Sequence, residues 1–111
     1  FFTADLSVGD KNIKFASTFA SQYINEVADH TLRITGADVV LVINLEQKKV
    51  SYRKKDTCSL NMGKIAQKWG DGGGHHAAAG SALTDNVLAI AEHFKPYDVA
   101  LRSTGKEGDQ G

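Results

Sequence analysis

The stretch that decides how this chain folds runs from Trp69 to Gly80 and reads W-G-D-G-G-G-H-H-A-A-A-G. Gly72, Gly73 and Gly74 carry no Cβ, so their backbone can take φ > 0 and approach a ligand closely. The alanines after the two histidines favour a helical turn that Gly80 would stop. We therefore predict a glycine turn that feeds a short helix and directs backbone N–H groups at an anion such as phosphate. A plain tight connection between two elements is the other reading.

The flanking sequence predicts an α/β fold, a small mixed sheet with helices packed on it in a single domain. Residues 39–43 are apolar at every position, which is typical of a central strand buried on both faces. The expected elements are a strand over residues 1–6, a turn at 9–10, a helix over 18–36, strands over 39–43 and 49–53, a helix over 62–69, a strand over 81–83 and a helix that starts at 84–86 and is ended by Pro96.

The apolar side chains of the helix over 18–36 recur at helical spacing and predict a core-facing stripe, which Phe19 and Tyr23 widen. Met62 and Trp69 belong to a similar stripe on the helix over 62–69, where core packing is the expected role. Residues 103–111 are polar and glycine-rich and predict a flexible tail, which leaves 1–102 as the domain.

Lysine plus arginine balance aspartate plus glutamate at 13 each, so no global field attracts nucleic acid or membrane. The distribution is uneven, because one segment holds many cations and a single acid, Asp56. Its cations are Lys48, Lys49, Arg53, Lys54, Lys55, Lys64 and Lys68. They indicate either a basic region beside the glycine stretch or lysines that protect a hairpin edge from pairing with other chains.

Cys58 is the only cysteine, so no disulfide can form within the chain, as expected of a reducing compartment. The longest apolar run is far shorter than the ~20 residues that span a bilayer, and no signal peptide is visible. We therefore expect a cytoplasmic protein with no membrane partner. The first residue is Phe1 rather than Met, as in a fragment of a longer protein.

Arg53 is the second candidate for chemistry. Alternation along residues 49–53 places Val50 and Tyr52 on one face of a strand and Ser51 and Arg53 on the other. A planar guanidinium can hold two phosphate oxygens at once. An ordinary exposed arginine on an edge strand fits the same pattern equally well.

The motif G-G-G-H-H-A-A-A-G resembles the G-G-G-H-x-x-A-A-G signature of the DHH phosphoesterase family, in its C-terminal DHH-associated domain of subfamily 1. V-S-Y-R, a polar break and K-I-A-Q-K-W-G precede it in the family's order, so the resemblance covers about residues 39–83. In that family an N-terminal domain holds manganese with Asp and His ligands and hydrolyses phosphoesters. The associated domain closes over the metal site and binds the substrate, usually a short oligonucleotide or a nucleotide-like phosphate.

The resemblance implies substrate-binding roles for Gly72, Gly73, Gly74 and His75, which match the motif, and for Arg53, which is similar to the family's strand arginine. Ser51, which shares a strand face with Arg53, and His76 are secondary candidates, and the resemblance transfers no role to His76 because its motif position is variable. The family's substrate classes, oligonucleotide and nucleotide phosphate, stay open at this point.

The chain departs from the family pattern at two points. Asp71 places a carboxylate next to the proposed phosphate site. No Asp-His-His sequence occurs, and the histidines at 30, 75, 76 and 93 form no convincing metal set. The resemblance therefore implies no catalytic residue, metal ligand or cofactor here, with manganese held by a missing catalytic domain. We expect the chain to be the substrate-binding half of a phosphoesterase, inactive alone.

A different class of function is a stand-alone module that binds nucleic acid or another protein without catalysis. Such a module would need exposed aromatic side chains on which bases can stack. Phe1, Phe2, Tyr52 and Tyr97 are the candidates, because the other aromatic residues are assigned to core stripes.

Overall fold

The computed structural model of the chain describes residues 1–97, and the predicted tail at 103–111 and residues 98–102 lie outside this range. The α/β prediction is confirmed: helices pack on both faces of a seven-stranded mixed sheet with strand order β5-β6-β4-β3-β2-β1-β7. The elements are β1 (Phe2–Val8), β2 (Lys11–Phe19), α1 (Ile24–Thr35), β3 (Val39–Asn44), β4 (Lys49–Lys54), α2 (Met62–Gly70), β5 (Gly73–Gly74), β6 (Ala78–Ala82), α3 (Asp85–Ala91) and β7 (Lys95–Pro96).

The strand β3 lies at the centre of the sheet, as its uninterrupted apolar run predicts. It pairs in parallel with β2 and antiparallel with β4. Val40 and Val42 pack under α1, and we call this side of the sheet the α1 face. Val39 and Leu41 pack against α2 and α3 on the opposite side, the α2 face, where the larger core lies.

The first helix begins later than the sequence indicates. Residues 11–19 form β2, which makes a hairpin with β1 through the predicted turn at Gly9 and Asp10. The helix prediction failed at residues 18 and 19, because pairing of β2 with β1 and β3 overrides the helical spacing of the apolar residues there. The assignment of Phe19 and Tyr23 to the core stripe was also wrong, since they are 53% and 73% exposed.

The remaining helices are close to their predicted positions. Asn61 caps α2, accepting a hydrogen bond from the N–H of Lys64. Thr84 caps α3 in the same way through the N–H of Val87. The predicted end of this last helix was wrong, because α3 stops at Ala91 and Pro96 lies in β7.

The three alanines at 77–79 do not form the predicted helical turn. Residues 78–82 are the strand β6, and β5 pairs with it as a tight hairpin whose tip is His76 and Ala77. The high helix propensity of alanine is overridden, because β6 gains ladder pairing with β4 on one side and β5 on the other. The site can therefore not rest on a helix N-terminus at this point.

Asp38 ties three elements together at the start of β3. Its carboxylate accepts the backbone N–H of Lys14, at 3.0 Å, and lies 2.7 Å from the Nζ of Lys55. Burial raises the pKa of Asp38, but the hydrogen bonds and positive charges of Lys55 and Lys14 outweigh it, so this pKa lies below its usual value. The ionised carboxylate thus stabilises the junction of β2, β3 and β4.

Replacement of this carboxylate should change how stability depends on pH. Because the pKa of Asp38 is lower in the folded chain than in the unfolded chain, its contribution is complete above the unfolded pKa and is lost as pH falls through the folded one. We expect Asp38→Asn to unfold at lower urea than the wild type at about pH 7 and the two midpoints to approach each other as pH falls below the unfolded pKa of Asp38. Asp56→Asn, at an exposed position, is the control; an equal loss there would contradict the assignment.

Candidate functional site

The β5–β6 hairpin is hydrogen-bonded to the start of α2, and the segment that leads into it is hydrogen-bonded to the end of the same helix. At the start of the helix, the N–H groups of Met62 and Gly63 donate to the carbonyl oxygens of His76 and His75, at 2.8 and 3.1 Å. At its end, the N–H of Gly72 donates to Ala66 O at 3.0 Å. The free N–H groups that open a helix are therefore used to hold the hairpin, and the glycine stretch lies against α2.

Two of the motif glycines are required by the close approach of this segment to β6. A Cβ on Gly72 would collide with the carbonyl oxygen of Gly80. A Cβ on Gly74 would lie 2.6 Å from the Cα of Ala79, and Gly74 has φ 148°. Of the motif glycines only Gly74 has a positive φ, so this is the one position in the run that uses the conformational freedom of glycine.

The third motif glycine faces open space. Gly73 is exposed, and a Cβ built on it would meet no atom within 4 Å. It is paired with Gly80, which in turn is paired with Ser51 on β4, so these residues form one row on the α1 face. The contribution of Gly80 to this row was not found from the sequence, where all residues from 77 to 82 are small and none is distinguished from its neighbours.

This part of the α1 face forms a shallow floor, because α1 lies mainly over β2 and β3. Its members are Ser51 and Arg53 on β4, Ala78, Gly80 and Ala82 on β6, and Gly73 on β5, and we call it the open strip. Ser51 makes no side-chain hydrogen bond to any residue within 1–97. The strip thus offers a hydroxyl, a guanidinium and exposed backbone to a ligand.

Arg53 is held in place by the chain itself. Its Nη1 donates to the carbonyl oxygens of Tyr52 and Ala79, at 3.0 and 3.2 Å, and its Nε donates to Asn25 Oδ1 at 3.2 Å. Partial burial lowers the pKa of Arg53, which remains a permanent cation. Its Nη2 has no acceptor among the described residues, so two N–H groups of an oriented fork are free. Asn25, the orienting residue, was not found from the sequence.

His75 continues the row that contains Arg53. Its N–H donates to Ala78 O at 2.8 Å, and Ala78 is paired with Arg53. Because neighbouring strands are separated by about 4.8 Å, the Cα atoms of His75 and Arg53 are about 10 Å apart across Ala78. His76 is also exposed but lies at the hairpin tip. Asp71 lies at the C-cap of α2 with φ 54° and is exposed.

The lysines do not protect a hairpin edge. The strand β4 is paired on both sides, with β3 and β6, so the edge-protection reading was wrong. The basic segment is instead divided between elements: Lys49 and Arg53 lie on β4, Lys64 and Lys68 on α2, and Lys55 pairs with Asp38.

One of the aromatic candidates for base stacking is not accessible to a ligand. Tyr52 is fully buried, with its hydroxyl 2.9 Å from Ser81 Oγ, so its proposed role as a stacking residue was wrong.

Within residues 1–97 no group of three or more His, Cys, Asp or Glu side chains is placed to hold a metal ion. The described residues therefore do not fit a manganese site. Nor does any helix in this range combine the length and apolarity needed to cross a bilayer.

Comparison with known proteins identifies the family. The family model of the DHHA1 domain matches residues 12–96. No curated protein matches the chain significantly. Among solved structures, an uncharacterized protein from Helicobacter pylori G27 is similar, with a TM-score of 0.58 and 20% identity over 76% of this chain. At this identity the likeness concerns the fold alone, and the chain spans only 26% of that protein's length.

The packing of the glycine run predicts unequal costs of substitution. Gly74→Ala should lower the free energy of unfolding by about 1–3 kcal/mol, because the added methyl group overlaps Ala79 at an unfavourable φ. Gly73→Ala should change it by no more than about 0.5 kcal/mol, since its Cβ points into open space. Chemical denaturation of the two variants measures the difference. Equal losses would contradict the separation of the two positions.

Proposed function

Because this chain belongs to the DHHA1 domain family, the domain associated with DHH phosphoesterases, we propose that it binds the phosphate of the substrate for a DHH catalytic domain. The substrate is a short oligonucleotide or a nucleotide phosphate. The ligand lies on the open strip, between Arg53 and His75. The observation that carries the proposal is the row of Arg53, Ala78 and His75 across β4, β6 and the hairpin.

The chemistry of this row suits a phosphate. The Nη2 of Arg53 presents two N–H groups that can each donate to a phosphate oxygen. The methyl group of Ala78 is the only side chain between Arg53 and His75 in the row, so a tetrahedral anion can lie close to the sheet. Either ring nitrogen of His75 can donate to the same group from the other side. Binding by fixed donors lowers the cost of ordering the site.

The glycines contribute in two ways under this proposal. Gly73 lets a ligand approach the backbone of β5, because no side chain covers it. Gly72 and Gly74 act indirectly, since they allow this segment to lie close to β6 and so fix the position of Gly73 and His75. Ser51, in the row of Gly73 and Gly80, can donate its hydroxyl to a second oxygen of the ligand.

Hydrolysis belongs to the partner domain. Manganese would supply an activated water and a Lewis acid there, and the residues of this chain hold and orient the substrate. On this proposal the chain alone cleaves no phosphoester, and the whole protein acts in the cytoplasm. A stand-alone nucleic-acid-binding or interaction module is the competing class, and it loses the buried Tyr52 from its candidate aromatic residues.

Arg53→Ala tests the proposal directly. We expect this variant of the chain to bind a 5′-phosphorylated dinucleotide more weakly by about tenfold or more, because a charge-assisted contact contributes about 1.5–3 kcal/mol. The affinity of Arg53→Lys should lie between those of the wild type and Arg53→Ala, because lysine keeps the positive charge but lacks the planar guanidinium with its paired donors. Titration calorimetry provides the affinities. Arg33→Ala, which removes an exposed arginine from the last turn of α1, is the matched control; a loss as large as that of Arg53→Ala would contradict a specific site.

The adjacent histidines provide an internal comparison. His75→Ala should weaken binding of the same dinucleotide by about fivefold to tenfold, because one donor to the phosphate is lost. His76→Ala should have a much smaller effect, since its side chain lies at the hairpin tip. The carbonyl groups that bond to α2 are retained in both variants. An equal or larger loss for His76→Ala would show that the wrong histidine was chosen.

A further inference from the structure

We propose that the open strip has a second phosphate subsite at Lys49, so that this domain binds a strand of linked nucleotides in preference to a mononucleotide. The inference rests on the proposed function, since it extends the ligand from Arg53 along β4. Lys49, Ser51 and Arg53 alternate along β4, and their partners on β3 are Asn44, Val42 and Val40, which places all three on the α1 face.

The floor beside these residues is made of small side chains. Opposite Lys49, Ser51 and Arg53 on β6 lie Ala82, Gly80 and Ala78. A cavity of about 490 Å³ opens at the Lys49 end of the strip. It is lined by Gln47, Lys48, Lys49, Val50, Ser51, Gly80, Ser81 and Ala82, with no carboxylate among them. A chain of phosphates can therefore leave Arg53, pass Ser51 and Gly80 and enter this cavity.

The ammonium groups at this end are available for binding. The one ion pair of residues 1–97 joins Lys55 to Asp38, so Lys48 and Lys49 have no carboxylate partner in that range. The backbone at Lys48 is held in place by the fold. Lys48 lies in the turn between β3 and β4 with φ 54°, and its carbonyl oxygen accepts the N–H of Leu83 at 2.8 Å. With both edges of β4 paired, these lysines are also not needed to block aggregation.

Lys49 and Arg53 cannot share one phosphate group without breaking contacts. Arg53 follows Lys49 by four positions on β4, which corresponds to about 13 Å between their Cα atoms. The guanidinium of Arg53 is tied to the carbonyl oxygens of Tyr52 and Ala79 beside its own position, so it does not lean towards Lys49. Two cations that face the same strip at this separation bind two different phosphates of one strand.

The test compares two ligands on the 111-residue chain. The ligands are a nucleoside 5′-monophosphate and a 5′-phosphorylated tetranucleotide, each titrated at several salt concentrations. Lys49→Ala should weaken binding of the tetranucleotide about fivefold, as expected of one exposed ion pair, and leave the affinity for the mononucleotide unchanged. It should also reduce the slope of log K against log salt for the tetranucleotide by about 0.7, the value for one phosphate of a single strand.

Lys68→Ala is the matched control, because it removes an equal charge from the exposed side of α2 on the opposite face of the sheet. Equal effects of Lys49→Ala and Lys68→Ala, or equal effects of Lys49→Ala on both ligands, would overturn the second subsite. If the wild type binds both ligands and only Arg53→Ala weakens them, the proposed function survives and this inference fails. If the wild type binds neither ligand, both fail.

Discussion

The close approach of the β5–β6 hairpin to α2 is the contact on which the half of the molecule with the candidate site depends. Backbone meets backbone there without an intervening side chain, because a Cβ at Gly63 would lie 2.6 Å from Gly74 O. Hydrogen bonds at both ends of the helix then fix the hairpin along its length. The sheet is extended by β6 and β5 in a single orientation as a result.

That contact closes one face of the last strands and leaves the other face open. On the α2 face, Tyr52 and Ala79 are buried beneath the helix. On the α1 face, the first helix lies over β2 and β3 and leaves the small residues of β6 accessible. The same short segment therefore contains glycines of two kinds. Gly72 and Gly74 are required by packing, whereas Gly73 faces open space.

The sequence was informative where one period was unambiguous. The unbroken apolar run of β3 and the alternation of β4 predicted the centre of the sheet and the face of Arg53. The sequence misled where helical spacing or helix propensity opposed tertiary pairing, as at the end of β2 and at Ala78 and Ala79. It could not distinguish Gly73 from its neighbours, because the distinction depends on what lies across from each residue. Asn25 escaped for the same reason, being 28 positions from Arg53.

Hydrogen exchange of the amides at the start of α2 depends on the opening of the hairpin. The N–H groups of Met62 and Gly63 are bonded to carbonyls of His76 and His75, so hydrogen–deuterium exchange there requires the hairpin to lift from the helix. The two elements thus form one cooperative opening unit, although they lie in different layers of the fold. Any molecule that holds the hairpin down from the α1 face slows exchange at two amides behind the sheet, where it makes no contact.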